Sequence, residues 1–304
     1  MKTLVFIVIV LSFISCNKNA ENLSGRLVKM ESTDYTGQVL TTDYKYDSQK
    51  RIIEIRQYLN NFDSAYVVTI NYNGNEITLL SNPNTEPLYD QSEEVRLTVD
   101  ESGKLLRRIE FIHGISKSYP GQPPETFRYD TLIYEYDVAG LLKSTSESMY
   151  DSIFVNANFT SSTRLSSNVS YTNSGGNLIS TDEYVVYPRI TRQGSNVDTS
   201  GGSSEYHNTF SYSKGFPNLA DFRNAVILNE FKLYYESPFN SNYKNMPDQV
   251  VRNSTDRDSR GAIIFTGSST IDMDRAYGSD GLLTSVNIPS HNTPYNNIQF
   301  IYGK

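Results

Sequence analysis

Tryptophan is absent from this 304-residue chain, cysteine occurs once and histidine three times. A single cysteine excludes a disulfide framework and any centre built from several thiolates. His113, His207 and His291 are scattered and none has a second histidine at ligand spacing, so no metal and no other cofactor is expected. The signatures Gly-x-Ser-x-Gly, His-Glu-x-x-His, Gly-x-x-x-x-Gly-Lys and Gly-x-Gly-x-x-Gly are all missing, and the chain reads as a non-enzyme. Lysine and arginine form no cluster, and the formal charge is −7. That balance argues against a nucleic-acid partner and against electrostatic docking on anionic lipid.

Long apolar runs are also scarce. The run Leu4 to Leu11 follows Lys2 and precedes Ser12-Phe13-Ile14-Ser15-Cys16. It is too short for a membrane span, which needs roughly 20 apolar residues, and it reads as a secretory signal over 1–15. Cys16 follows at once and is the only thiol, which in an exported protein is a liability unless modification consumes it. Phe13-Ile14-Ser15-Cys16 resembles the bacterial lipobox. The resemblance implies that Cys16 is acylated, with palmitate-type chains, as the first residue of the mature chain. Residues 16–25 then form a polar tether to a membrane, and 26–304 a single domain.

What the chain has in quantity is tyrosine, 23 residues, with 14 phenylalanines. Aromatic residues suit pleated, half-buried surfaces. The clearest stretch is Tyr134-Glu135-Tyr136-Asp137-Val138-Ala139-Gly140-Leu141-Leu142. Tyr134 and Tyr136 share one strand face, Asp137 opens a four-residue turn, Gly140 supplies a positive φ, and the leucines restart the strand. Weaker copies start their turns at Asp47, with Lys50 in the glycine position, at Asn73-Gly74, Asp100 and Asn173, at irregular intervals. The reading is all-β: an antiparallel meander of hairpins forming a large curled sheet or barrel-like shell.

Between the hairpins, 81–94 and the proline-bearing 116–126 read as loops, and 191–205, rich in Gly and Ser, as a flexible loop or linker. Leu219, Phe222 and Val226 recur at helical spacing after Pro217-Asn218, which predicts one short helix near 217–236. Asp256-Arg257-Asp258-Ser259-Arg260-Gly261 has the outline of a calcium loop but no terminal Glu, and a hairpin turn is the simpler reading. Asp272 and Asp274 could share a strand face as a carboxylate pair.

Tyr-x-Tyr-Asp-x-x-Gly-x-Leu resembles the YD repeats of bacterial cell-surface proteins. Beside the lipobox, the chain is similar to outer-membrane-type lipoproteins of unknown function that carry degenerate YD-like (Rhs-like) hairpins. The resemblance implies an exported protein of the cell envelope, at the outer membrane, that binds or scaffolds. Two alternatives stay open: a glycan-binding or glycan-active component of a surface uptake system, and a lipid or lipoprotein carrier. Candidate ligand contacts, for sugar stacking or an envelope-protein partner, are the loop-context tyrosines Tyr119, Tyr206, Tyr243 and Tyr295.

Overall fold

The computed structural model describes residues 26–34, 36–59, 66–81, 84–86, 89–116, 125–155, 158–193, 195–212, 247–279, 282–287 and 295–303. These form one twenty-stranded antiparallel sheet. The strands are β1 (Leu27–Asp34), β2 (Val39–Tyr46), β3 (Ile52–Leu59), β4 (Tyr66–Asn73), β5 (Glu76–Ser81), β6 (Asn84–Glu86) and β7 (Tyr89–Val99). Next come β8 (Leu105–Ser116), β9 (Glu125–Tyr136), β10 (Leu142–Val155), β11 (Asn158–Ser174), β12 (Asn177–Val186), β13 (Arg189–Gln193) and β14 (Asn196–Ser200). The last are β15 (Gly202–Ser211), β16 (Gln249–Asp258), β17 (Ile263–Asp272), β18 (Asp274–Tyr277), β19 (Leu283–Asn287) and β20 (Tyr295–Tyr302).

Neighbours in sequence are neighbours in the sheet from β1 to β17, with two local insertions. β6 shares with β5 the edge of β7, and the β13–β14 hairpin is inserted between β12 and β15, which pair with each other. β1 is laddered to β2 on one side and to β20 on the other, so the two ends of the chain close the sheet on itself. β17 pairs with β16 and β18 with β19, and among the described residues no ladder joins β17 to β19 or β20. The result is a nearly closed barrel with its seam beside β17.

The aspartate turns explain why the strands reverse where they do. At Asp47, Asp100, Asp137 and Asp258 the carboxylate Oδ1 accepts the backbone N–H groups of the second and fourth residues onward, all at 2.8 or 2.9 Å. The fourth residue of each turn has a positive φ: Lys50 at 61°, Gly103 at 85°, Gly140 at 77° and Gly261 at 82°. Both Asp258 bonds are hairpin bonds, so the outline of a calcium loop at 256–261 is a turn. The turns at 47, 74, 100, 137 and 175 share one end of the barrel, the turn end.

The apolar core reaches that end. Ile52, Leu105, Leu142, Leu178 and Leu283, each just after its turn, are buried. Tyrosine hydroxyls tie the layer together. Tyr46, Tyr72, Tyr136, Tyr212 and Tyr302 donate to the carbonyls of Leu27, Ile52, Leu105, Leu178 and Leu283 at 2.6 to 2.9 Å. Ile52, Leu105, Leu178 and Leu283 join Met30, Ile55, Val68, Ile70, Leu79, Leu97, Phe210, Val250, Ile298 and Phe300 in one contiguous apolar cluster inside the barrel.

Strand alternation places charge outside. Between inward Met30, Tyr44, Ile55, Val95 and Leu97, the outward positions carry Lys29, Glu31, Asp43, Lys45, Glu54, Arg56, Glu94 and Arg96. They pair as Lys29–Glu31, Arg56–Glu54 and Arg96–Glu94 along single strands and Lys45–Glu54 across two. A bilayer-spanning barrel has the reverse pattern, apolar outside, because a charged Lys or Arg on the lipid face costs about 2–4 kcal/mol at the midplane. The outer faces of β1, β2, β3 and β7 therefore suit water rather than acyl chains.

Three sequence expectations are corrected. Residues 81–94 are not a plain loop: β7 begins at Tyr89 because β6 and the long β8 supply partners on both of its edges. Residues 191–205 belong to β13, β14 and β15, where ladders to β11 and β12 satisfy the backbone even though β14 is exposed along its whole length. Composition had suggested a loop because such a strand has no dry face to betray it. The turn expected at Asn173 falls one residue later, on Gly175 and Gly176 with φ of 60° and 84°, and the Asn173 side chain instead donates to the Leu142 carbonyl at 2.8 Å. Asp272 and Asp274 straddle the break between β17 and β18. The helix expected over 217–236 lies outside the described residues, as does Cys16; among the described residues there is no helix.

Candidate functional site

β11, β12, β15 and β16 are consecutive in the wall, and their outward side chains frame a groove of about 520 Å³. The register decides who meets whom. Asp182 lies opposite His207 and Tyr184 opposite Glu205 on the β12–β15 ladder, while Asn253 and Thr255 stand across from His207 and Glu205 on β16. Asn168 and Ser170 close the β11 side.

His207 is the hinge of the local hydrogen bonding. Its Nδ1 lies 2.7 Å from Asp182 Oδ1, and its Nε2 lies 3.3 Å from the Thr209 hydroxyl. Hydroxyl, imidazole and carboxylate thus follow the order of a nucleophile, base and orienting acid. Both ring and carboxylate are about half exposed or more, 49% and 63%, so water competes for these bonds and the pair is a weak one. The trio fixes these three polar groups relative to one another on the outer face. Tyr184, 46% exposed, adds a ring face beside the acids Asp182 and Glu205. An aromatic face flanked by carboxylates, amides and hydroxyls can stack on an apolar ring face and bond its rim.

The loop-context tyrosines fare differently. Tyr206 lies in β15 and also lines the groove, but strand alternation turns its ring inward, where the Arg252 guanidinium sits 4.2 Å from the ring centroid. Arg252 in turn lies 3.8 Å from Glu183. Tyr119 and Tyr243 are outside the described residues, and Tyr295 opens β20 with its side chain outside them. Sequence reading missed Tyr184, Asp182 and Glu205 because it sought ligand contacts in loops. The usable signal was Asp182-Glu183-Tyr184 and Glu205-Tyr206-His207, two segments that combine acidic and aromatic residues.

Inside the barrel, behind β7 to β10, the apolar core gives way to a charged chain. Arg108 on β8 is buried and holds Glu110 and Asp130, each at 3.1 Å. Glu110 is hydrogen-bonded to Glu93 on β7, and Asp130 to Glu147 on β10. Tyr66 on β4 donates to Glu93 at 3.0 Å. Burial, and then the neighbouring carboxyl, pushes Glu93 up to about 7, and the same two causes push Glu147 up to about 7.

No protein-family model and no curated protein matches the chain. Among solved structures, a porin-like protein from Bacteroides vulgatus ATCC 8482 superposes with a TM-score of 0.48 at 14% identity, over 91% of this chain and 98% of that one. A porin-like protein from Bacteroides uniformis ATCC 8492 gives 0.43 at 12% identity, over 92% and 97%.

Proposed function

We propose that this protein is an exported, lipid-anchored barrel of the cell envelope, held at the outer membrane through Cys16, that binds a glycan-type, hydroxyl-rich ligand in the outer-wall groove and performs no catalysis. The envelope address comes from the leader over 1–15 and the lone Cys16. The binding role is carried by one observation: four neighbouring strands bring Tyr184 together with Asp182, Glu205, His207, Asn168 and Asn253 in a single groove. The YD-like hairpins are then the scaffold, since their Asp and Gly are consumed by turns. A hollow lipid carrier fits less well, because the interior apolar side chains pack on one another as one cluster.

A scaffolding role toward an envelope protein has an observation of its own. Phe111, Tyr129 and Tyr150 are exposed and lie opposite one another in register across β8, β9 and β10 on the outer face. Such a row offers contact area rather than a pocket.

The groove is tested with the acylated chain in mild detergent on an array of neutral and acidic oligosaccharides. Binding that weakens at least tenfold, about 1.4 kcal/mol, in Tyr184→Ala and in Asp182→Asn supports the reading. Absence of glycan binding, or binding untouched by Tyr184→Ala, overturns it.

A further inference from the structure

The chain of interior groups is symmetric about one cation: Glu93, Glu110, Arg108, Asp130, Glu147. It crosses four consecutive strands, β7 to β10. Four carboxyl groups face a single guanidinium, and each outer Glu lies beside a second carboxyl, Glu93 beside Glu110 and Glu147 beside Asp130, where a proton held between them relieves the repulsion. Other charged and titratable groups face the chain. Tyr66 on β4 bonds Glu93, and Glu183 on β12, itself beside Arg252, bears on Glu147. Arg128 on β9 and Asp151 on β10, 3.2 Å apart, lie further along their strands, Arg128 one inward position from Asp130 and Asp151 two from Glu147, beyond Met149.

We propose that this chain is a proton-operated latch. With one proton bridging Glu93 and Glu110 and another bridging Asp130 and Glu147, it ties β7, β8, β9 and β10 together from inside the barrel. When both protons leave, four carboxylates confront one arginine in a partly dry interior, and this stretch of wall loosens.

The sign follows from proton counting. An unfolded glutamic acid titrates near 4.3, while Glu93 and Glu147 in the folded barrel hold their protons to about 7. Between those values the folded state carries the extra protons, so its stability is fully present below pH 4 to 5 and is lost as pH rises through 7. Each extra proton changes the folding equilibrium by up to about tenfold per pH unit. The turn aspartates act oppositely. Asp47 and Asp100 are held low despite some burial, chiefly by hydrogen bonds from Arg51 and from Ser102 and Lys104, and weaken the fold only in stronger acid.

The test is thermal or denaturant unfolding of the whole chain from pH 5.5 to 8.5, for wild type and for the double variant Glu93→Gln, Glu147→Gln. The amide keeps a donor where the shared proton sat but cannot ionise. The wild type should lose stability by tenfold or more across this range, and the double variant should show a flatter profile; His113 and His207 on the outer face are the same in both. Parallel profiles overturn the latch, as does a flat wild type. Should the double variant not fold, amide hydrogen exchange on the wild type at pH 6 and 8, corrected for intrinsic rates, decides the matter. Protection lost selectively in β7 to β10 supports the proposal, and a uniform change overturns it.

Discussion

Lys50 shows how much a single position in the hairpin code can carry. It occupies the turn position that Gly103, Gly140 and Gly261 fill elsewhere, with φ of 61°. A side chain in that left-handed conformation costs roughly 1–2 kcal/mol, part of which glycine gives back through its greater freedom in the unfolded chain. Lys50→Gly should therefore stabilise the barrel by about 0.5–1 kcal/mol, read as a raised unfolding midpoint. A drop would mean that the lysine makes contacts worth more than the strain. The aspartate of the same code was legible from spacing alone, because its bonds are to its own turn. His207 was not: its partner Asp182 is 25 residues away and meets it only through the β12–β15 register.

At the scale of the element, alternation was readable wherever one face is dry. β4, with Val68 and Ile70 inward, and β20, with Ile298 and Phe300, follow the period-two pattern of the sequence. β14 lacks a dry face and β6 is only three residues long, so neither leaves a periodic trace. The strand-end tyrosines form a second element-level device. Burial pushes Tyr136 up to about 12, and its hydroxyl serves the carbonyl of Leu105, the first residue of the adjacent strand. Tyr136→Phe keeps the ring and strands that carbonyl, at a cost of about 1–2 kcal/mol measured by denaturant titration. A neutral result would show that water replaces the hydroxyl.

For the whole molecule, an apolar cluster and a charged chain share the interior, while β1, β2, β3 and β7 carry charge outward. The proposed anchor at Cys16 can be tested directly. Cys16→Ser should abolish acyl labelling and release the folded protein into the detergent-free soluble fraction. A variant that stays membrane-bound would refute an anchor at Cys16 and point to contact through the wall itself.

What the sequence by itself determined is local: the hairpins, their aspartate turns and the inward face of each amphipathic strand. Turn bonds and strand alternation depend on residues within a few positions of each other, so composition and spacing suffice. Only the tertiary structure decided that β20 returns to β1, that the groove joins Asp182 and Tyr184 to Glu205 and His207, and that Arg108 gathers carboxyls from neighbouring strands. Those contacts depend on ladder register over separations of tens of residues. Shifting a strand by one residue would exchange its inner and outer faces and remove both the groove and the latch.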